Sequence, residues 1–249
     1  MASCPELLDG RGAIVDVGYG EAPVTTIELA RAVHQVNAHV RVVGIERETQ
    51  TPENQLHQHP PSPRGGEGRG EGVTLLAGDF ATCASLAPTA VVRAMNVLRG
   101  YREEEVDEIH AALGAGLVEG GLLLEGSSDT EGRVTVVWVM RRRAGALVRE
   151  ALLFHTDFTR GFSPWLFRDW LPRDLRRRAQ PGTAIHSLLA AWSSQVPGDV
   201  SNPRARFVAS VGGVVVATAW EIDHGFARAV SPLPDPLPLG DLGEREAVG

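Results

Sequence analysis

Short apolar runs alternate with stretches whose apolar residues recur at helical spacing over the first half of the chain. "AIVDV" (13–17) reads as a buried strand, and "PVTTIELARAVHQVN" (23–37) as a helix with Pro23 suited to its first turn. "VRVVGIE" (40–46), "VTLLAGDF" (73–80) and "AVVRAMNVL" (90–98) read as further strands. "REEEVDEIHAALGAGL" (102–117) reads as an amphipathic helix: Val106, Ile109 and Leu113 share a face, and glutamates gather at the end the helix dipole favours. "GGLLLEG" (120–126) gives a fifth strand. Strands separated by helices predict a doubly wound, mostly parallel α/β sheet.

The pattern then changes. "RVTVVWVMRR" and "ALVREALLFHTDF" are strand-like and flank Ala144-Gly145, which predicts an antiparallel hairpin. Beyond Thr159, "SPWLFRDWLPRDLRRR" and "GTAIHSLLAAWSSQV" read as helical, whereas "ARFVASVGGVVVATAW" fits helix or strand. The expected organisation is a core over 1–158, a helical extension over 159–230 packing on it, and a proline-rich tail over 231–249 that reads as disordered. Residues 49–72, rich in Pro, Gly and charge, read as a solvated low-complexity loop, and no metal site is expected at its His57 and His59.

Composition narrows the chemistry. The net charge of −7 argues against sequence-blind nucleic-acid binding. All 24 residues counted as Lys+Arg are arginine, so neither a Schiff-base lysine nor a phosphate-loop lysine is present. The 2 cysteines, Cys4 and Cys83, do not make a disulfide framework. No apolar run is long enough for a membrane span, and the N-terminus lacks the layout of a secretion signal, so a cytoplasmic protein is expected.

A parallel sheet of this kind binds ligands outside the carboxyl ends of its strands. There the chain places Asp16, Gly18, Tyr19, Gly20, Glu46, Asp79, Phe80, Asn96 and Glu125. Glycines let the backbone turn sharply or approach a ligand. Glu46, at the next strand tip, can accept both hydroxyl protons of a ribose, and Asp79 and Phe80 can flank an adenine. A nicotinamide dinucleotide wants a bare helix N-terminus for its pyrophosphate, and here Glu21 and Pro23 stand in that place. S-adenosylmethionine is cationic at its sulfonium and ammonium and carries no phosphate, so acids around the bend suit it.

"VDVGYGEAP", "VVGIE", "LLAGDF", "VVRAMNVLRGY" and "GGLLLEGSSD" together resemble the successive motifs of class I, Rossmann-like, S-adenosylmethionine-dependent methyltransferases. The resemblance runs over roughly residues 13 to 157 and implies a seven-stranded sheet whose last two strands are the hairpin. It implies that Asp16, Gly18 and Gly20, with Tyr19 between the glycines, line the methionine end of S-adenosyl-L-methionine. It also implies Glu46 on the ribose, Asp79 and Phe80 on the adenine, and Asn96 beneath the sulfonium. The chain departs from the family at Ala90, where an acid often starts the fourth strand, in the short stretch before its first strand, and in the low-complexity loop.

Methyl transfer asks little of side chains, because the sulfonium is already activated. Tyr101, Asp129 and His155 are candidates for the acceptor side, and nothing selects a catalytic residue among them. No Asn-Pro-Pro-aromatic motif is present, which points to a small molecule or a protein as acceptor rather than nucleic acid. The expectation is a metal-independent methyltransferase. The competing readings are a non-catalytic nucleoside-binding or assembly protein on the same fold, and, behind it, an NAD-dependent oxidoreductase. The arginine runs at 141–143 and 176–178 read as a hairpin tip and a helix end.

Overall fold

The structure is a computed structural model describing residues 12–47, 72–211, 219–223 and 226–230. The expected loop over 49–72, apart from Gly72, and the expected tail over 231–249 lie outside the described residues. Two compact units are present: Met1–Arg93 with Ala112–Gly121, and Ala94–Ala111 with Leu122–Gly249.

In the first unit, β1 (Ala13–Val17) pairs in parallel with β2 (Val42–Glu46), and β2 with β3 (Val73–Ala77). The order is β3-β2-β1-β4, where β4 is Thr89–Met95, followed by β5 (Leu117–Ser128). The sequence moves outward from β1 to β3 and then returns to β1's other side, which makes β1/β4 the topological switch point. Ile14, Val15, Val42, Val43, Ile45, Val91 and Val92 are all buried, as a sheet covered on both faces requires. Helix α1 (Val24–His34) lays Thr26, Ala30 and Val33 inward at helical spacing. β3 is an edge strand, and Leu75 on it is exposed.

Two strand ends differ from the sequence pattern. β4 stops at Met95, because Asn96 takes a left-handed φ of 62° and a 3-10 turn (Leu98–Gly100) follows. Helix α3 spans only Val106–Gly114 after a 3-10 turn at Glu103–Glu105, and β5 begins at Leu117, so Leu117 belongs to strand rather than helix. Between β3 and β4 lies a one-turn helix, α2 (Thr82–Ser85).

In the second unit, β6 (Val134–Arg143) is antiparallel to β5 and to β7 (Ala146–Thr156). Ala144 and Gly145 both have positive φ, 49° and 83°, the backbone that a two-residue hairpin with the strands' natural twist requires. Gly126 is fixed by close approach: a Cβ there would lie 2.2 Å from the Val136 carbonyl oxygen of β6. The expected mostly parallel α/β sheet with its antiparallel hairpin is present as β3-β2-β1-β4-β5-β6-β7, within a sheet of nine described strands.

The C-terminal segment is helical through a 3-10 helix (Pro164–Trp170), α4 (Arg173–Arg176), α5 (Ala184–Ser194) and α6 (Pro203–Val211). Leu171 precedes Pro172 and is forced into an extended conformation, which breaks what the sequence presents as one helix. The ambiguous stretch after Ala205 divides: its first part is helix α6, and strands β8 (Ala219–Asp223) and β9 (Phe226–Val230) add to β7's free edge. Aromatic packing joins these helices to the hairpin. Phe154 of β7 meets Phe167 edge-on at 5.1 Å and Trp192 at 5.4 Å, while Phe162 and Phe207 close the far side. The Trp192 indole N–H donates to buried Ser210 Oγ at 2.9 Å, so the burial leaves no orphaned donor.

Truncating Trp192, which has no exposed surface, is expected to cost about 3–5 kcal/mol in a urea titration, and truncating the half-exposed Trp165 well under that. Similar losses for the two variants would mean the aromatic cluster is not the centre of this unit's core.

Candidate functional site

The carboxyl ends of β1, β2 and β3 lie side by side in the first unit, and their loops carry most of the expected ligand residues. After Val17 the chain bends through Gly18 (φ 76°) and Gly20 (φ 78°), left-handed conformations that strain any side chain with a Cβ. The bend is held at its base by Gly18 N–H donating to the Ile45 carbonyl at 2.8 Å. At its tip the Gly20 N–H donates to Glu46 Oε2 at 2.5 Å. Glu46 Oε1 accepts from the Arg47 N–H at 2.9 Å. A carboxylate offers about four lone-pair sites, so each Glu46 oxygen keeps one for a ligand.

Tyr19 lies between the glycines with its ring over β2, where a Cβ on Gly44 would come within 3.0 Å of it. Its hydroxyl is held above the usual phenol range, first by burial and then by the negative charge of Glu46. Asp79 and Phe80 follow β3. Asp79 Oδ1 accepts from the Ala81 N–H at 3.0 Å and fastens the turn into α2. Phe80 carries the Arg47 guanidinium over its ring at 5.5 Å, so one face of the aromatic already has a planar cation against it.

Asp16 is placed differently from its neighbours. It is buried, its Oδ2 accepting from Thr26 Oγ1 at 2.6 Å and its Oδ1 from Arg93 at 2.7 Å. The carboxylate therefore ties β1 to the first turn of α1 and to β4. Arg93, Thr26 and Arg47 escape a reading of strand tips alone. A lone arginine inside the apolar run "AVVRAM" is the signal that an acid must face it.

In the second unit, Asn96 makes a reciprocal pair with Ser128: its Nδ2 donates to Ser128 Oγ at 3.1 Å and its Oδ1 accepts from the Ser128 N–H at 2.9 Å. Asp129 is buried and accepts from the Arg133 and Val134 N–H groups, with Arg160 at 3.3 Å from its other oxygen. His155 on β7 has its pKa lowered by burial. Glu125 is buried beside His110 Nε2 at 3.5 Å, longer than a good hydrogen bond. Burial holds the Glu125 carboxyl above its usual range, with Asp174 pushing the same way and His110 and Arg149 opposing.

Cys83 is buried on α2 and its thiol is pushed up to about 11 by burial and by Asp79, so it is no nucleophile at neutral pH. Among the described residues no group of three or more His, Cys, Asp or Glu side chains could hold a metal ion, and no helix is long and apolar enough to cross a membrane.

No protein-family model matches the chain. No curated protein matches it either. Among solved structures it is similar to a protein-L-isoaspartate O-methyltransferase beta-aspartate methyltransferase from Plasmodium falciparum, in complex with S-adenosyl-L-homocysteine. The identity is 17%, covering 59% of this chain and 65% of that one, with a TM-score of 0.35. It is similar to magnesium protoporphyrin IX methyltransferase from Synechocystis with bound S-adenosylmethionine at 16% identity, covering 59% and 74%, with a TM-score of 0.32. A structure described as a pericyclic reaction enzyme matches at 18% identity over 47% of this chain and 27% of that one, with a TM-score of 0.34. The chain thus spans less than two-thirds of the first and third of these proteins. The fold itself stands on strand order and register, independently of these likenesses.

Two outcomes are expected. Replacing Arg93 with Met strands a buried carboxylate and costs about 3–5 kcal/mol in chemical denaturation, and adding Asp16→Asn recovers part of that loss. Glu125 titrates with the opposite sign from a paired surface acid. Its folded pKa lies above the unfolded value of about 4.3, so its stabilising effect is complete below that pH and is lost as pH rises through the folded pKa. Glu125→Gln is therefore expected to match the parent near pH 4 and to exceed it in thermal midpoint at pH 8.

Proposed function

We propose that the loops at the ends of β1, β2 and β3 hold S-adenosyl-L-methionine and that the protein transfers its methyl group to an acceptor. The observation that carries this is the Glu46–Gly20 contact, which puts a ribose-type acceptor and a bare main-chain bend in one place. Glu46 is half-buried and has lone pairs to spare for a vicinal diol. Gly20 has open space where a side chain would be, so its backbone is approachable. Phe80 offers a planar apolar surface one strand further out, and the exposed Asp79 lies beside it. Glu21 adds a negative charge at the start of α1, which favours a cationic ligand and disfavours a pyrophosphate.

When bound, the cofactor supplies a methyl group already activated by its positive sulfur. The chain's part is to bind, to orient and to keep water away. The acceptor we propose is a small molecule or a protein, and the compartment the cytoplasm. The solved methyltransferases with S-adenosylmethionine or S-adenosylhomocysteine bound have names consistent with this reading. A second reading is non-catalytic nucleoside binding. It is favoured by Asp16, whose carboxylate is consumed by Arg93 and Thr26 and so adds no charge at the methionine end.

Glu46→Ala is expected to weaken S-adenosylmethionine binding tenfold or more in calorimetry, the scale of one charged hydrogen bond at about 1.5–3 kcal/mol. Unchanged affinity would remove the ribose from Glu46. Release of S-adenosylhomocysteine with candidate acceptors separates methyl transfer from simple binding.

A further inference from the structure

The 3-10 helix and α4 of the second unit enclose an open cavity of about 510 Å³ lined by Arg168, Asp169, Arg173, Arg176, Arg177 and Gln180. Four guanidinium groups face one carboxylate there. Among the described residues, Arg168, Arg176 and Arg177 make no ion pair. The acid that does answer this arginine run, Glu103, is taken by Arg178, the run's last member. Arg173 is fixed in place, its Nε donating to the Tyr101 carbonyl at 2.5 Å, which leaves its terminal N–H groups for another partner. Behind these, Arg99 stacks on Trp170 at 4.7 Å, and its pKa is lowered by burial and then by the positive charge of Arg176. Like charges are thus held close enough to oppose one another, and Asp169 is the one carboxylate among the lining residues to offset them.

A protein whose net charge is −7 does not gather unpaired arginines around a hollow for solubility. Guanidinium groups present flat forks of donors that match the oxygens of phosphate, and a tetrahedral dianion can engage several forks at once where a single carboxylate takes one. The volume falls in the range of small-molecule sites and exceeds what inorganic phosphate fills. We propose that this cavity is a binding site for a phosphate-bearing small molecule, held at its phosphate by Arg168, Arg173, Arg176 and Arg177. The site lies wholly within residues 168–180 and stands whether or not the first unit binds a nucleoside.

The test is calorimetry of the full chain with inorganic pyrophosphate, malonate and single-stranded oligonucleotides of increasing length. Pyrophosphate is expected to bind, with an affinity that falls as salt rises. The pair Arg176→Gln and Arg177→Gln is expected to weaken it at least tenfold, while Arg204→Gln, which removes a charge on α6, leaves it unchanged. Circular dichroism checks that the variants fold, and Arg168→Gln alone serves if the pair does not. No pyrophosphate binding, or equal weakening by Arg204→Gln, overturns the site. Malonate binding as tightly as pyrophosphate overturns the phosphate assignment. Oligonucleotide affinity that climbs with length past that of pyrophosphate replaces the small molecule with a nucleic-acid strand.

Discussion

A carboxylate with almost no access to water sits in the middle of the first unit, and its neighbours are arranged around that fact. Asp16 on β1 takes a proton donor from α1 and a guanidinium from β4, so strand, helix and strand are joined through one side chain. A buried charge of this type is tolerable only when it is paired and hydrogen-bonded, and removing a partner costs more than forming the pair gains. The pair fixes where β1 ends relative to α1. That in turn sets where the chain must bend through Gly18 and Gly20 and how the Gly20 amide comes to face Glu46.

The second unit is held by different means. Its centre is a cluster of aromatic rings on β7, the 3-10 helix, α5 and α6, in edge-to-face and stacked contacts. Some polar groups that enter this interior arrive with partners, since the Trp138 indole donates to Asp174 and Asp174 in turn receives Arg149, whereas Glu125 Oε2 and His110 Nε2 are buried without a hydrogen bond. Arg141, Arg143, Arg149 and Arg178 are matched by acids, whereas Arg168, Arg176 and Arg177 around the α4 cavity make no ion pair among the described residues. Composition treats all of them alike; only their placement separates a structural charge from a receptive one.

The residues at the strand tips are not equally available to a ligand. Glu46 is poised with capacity to spare, Phe80 is partly covered by Arg47, and Asp79 is engaged in its own turn. Asn96, expected beneath a sulfonium, spends both ends of its amide on Ser128. A ligand entering at β1 to β3 meets an organised bend and one prepared carboxylate rather than a ring of free acids.

The sequence by itself determined strands β1 to β7, the hairpin turn and the identity of the bend, because these follow from local periodicity and from backbone angles that Gly18, Gly20 and Gly145 adopt without strain, but not β8 and β9, which fall in the segment expected to be helical. It also placed Glu46 and Phe80 at neighbouring strand ends, since parallel strands bring their termini to one edge. Element ends were less legible: β4 stops at Asn96 through a left-handed residue, and β5 starts early through pairing that no window of residues records. Tertiary structure alone decided that Asp16 faces Arg93, 77 residues away, instead of a ligand, and that the last arginines of "DLRRR" part company, one to Glu103 and two to a shared cavity. Charge partnerships depend on distances in space that sequence spacing does not encode, and a buried charge takes whichever partner the fold brings within reach.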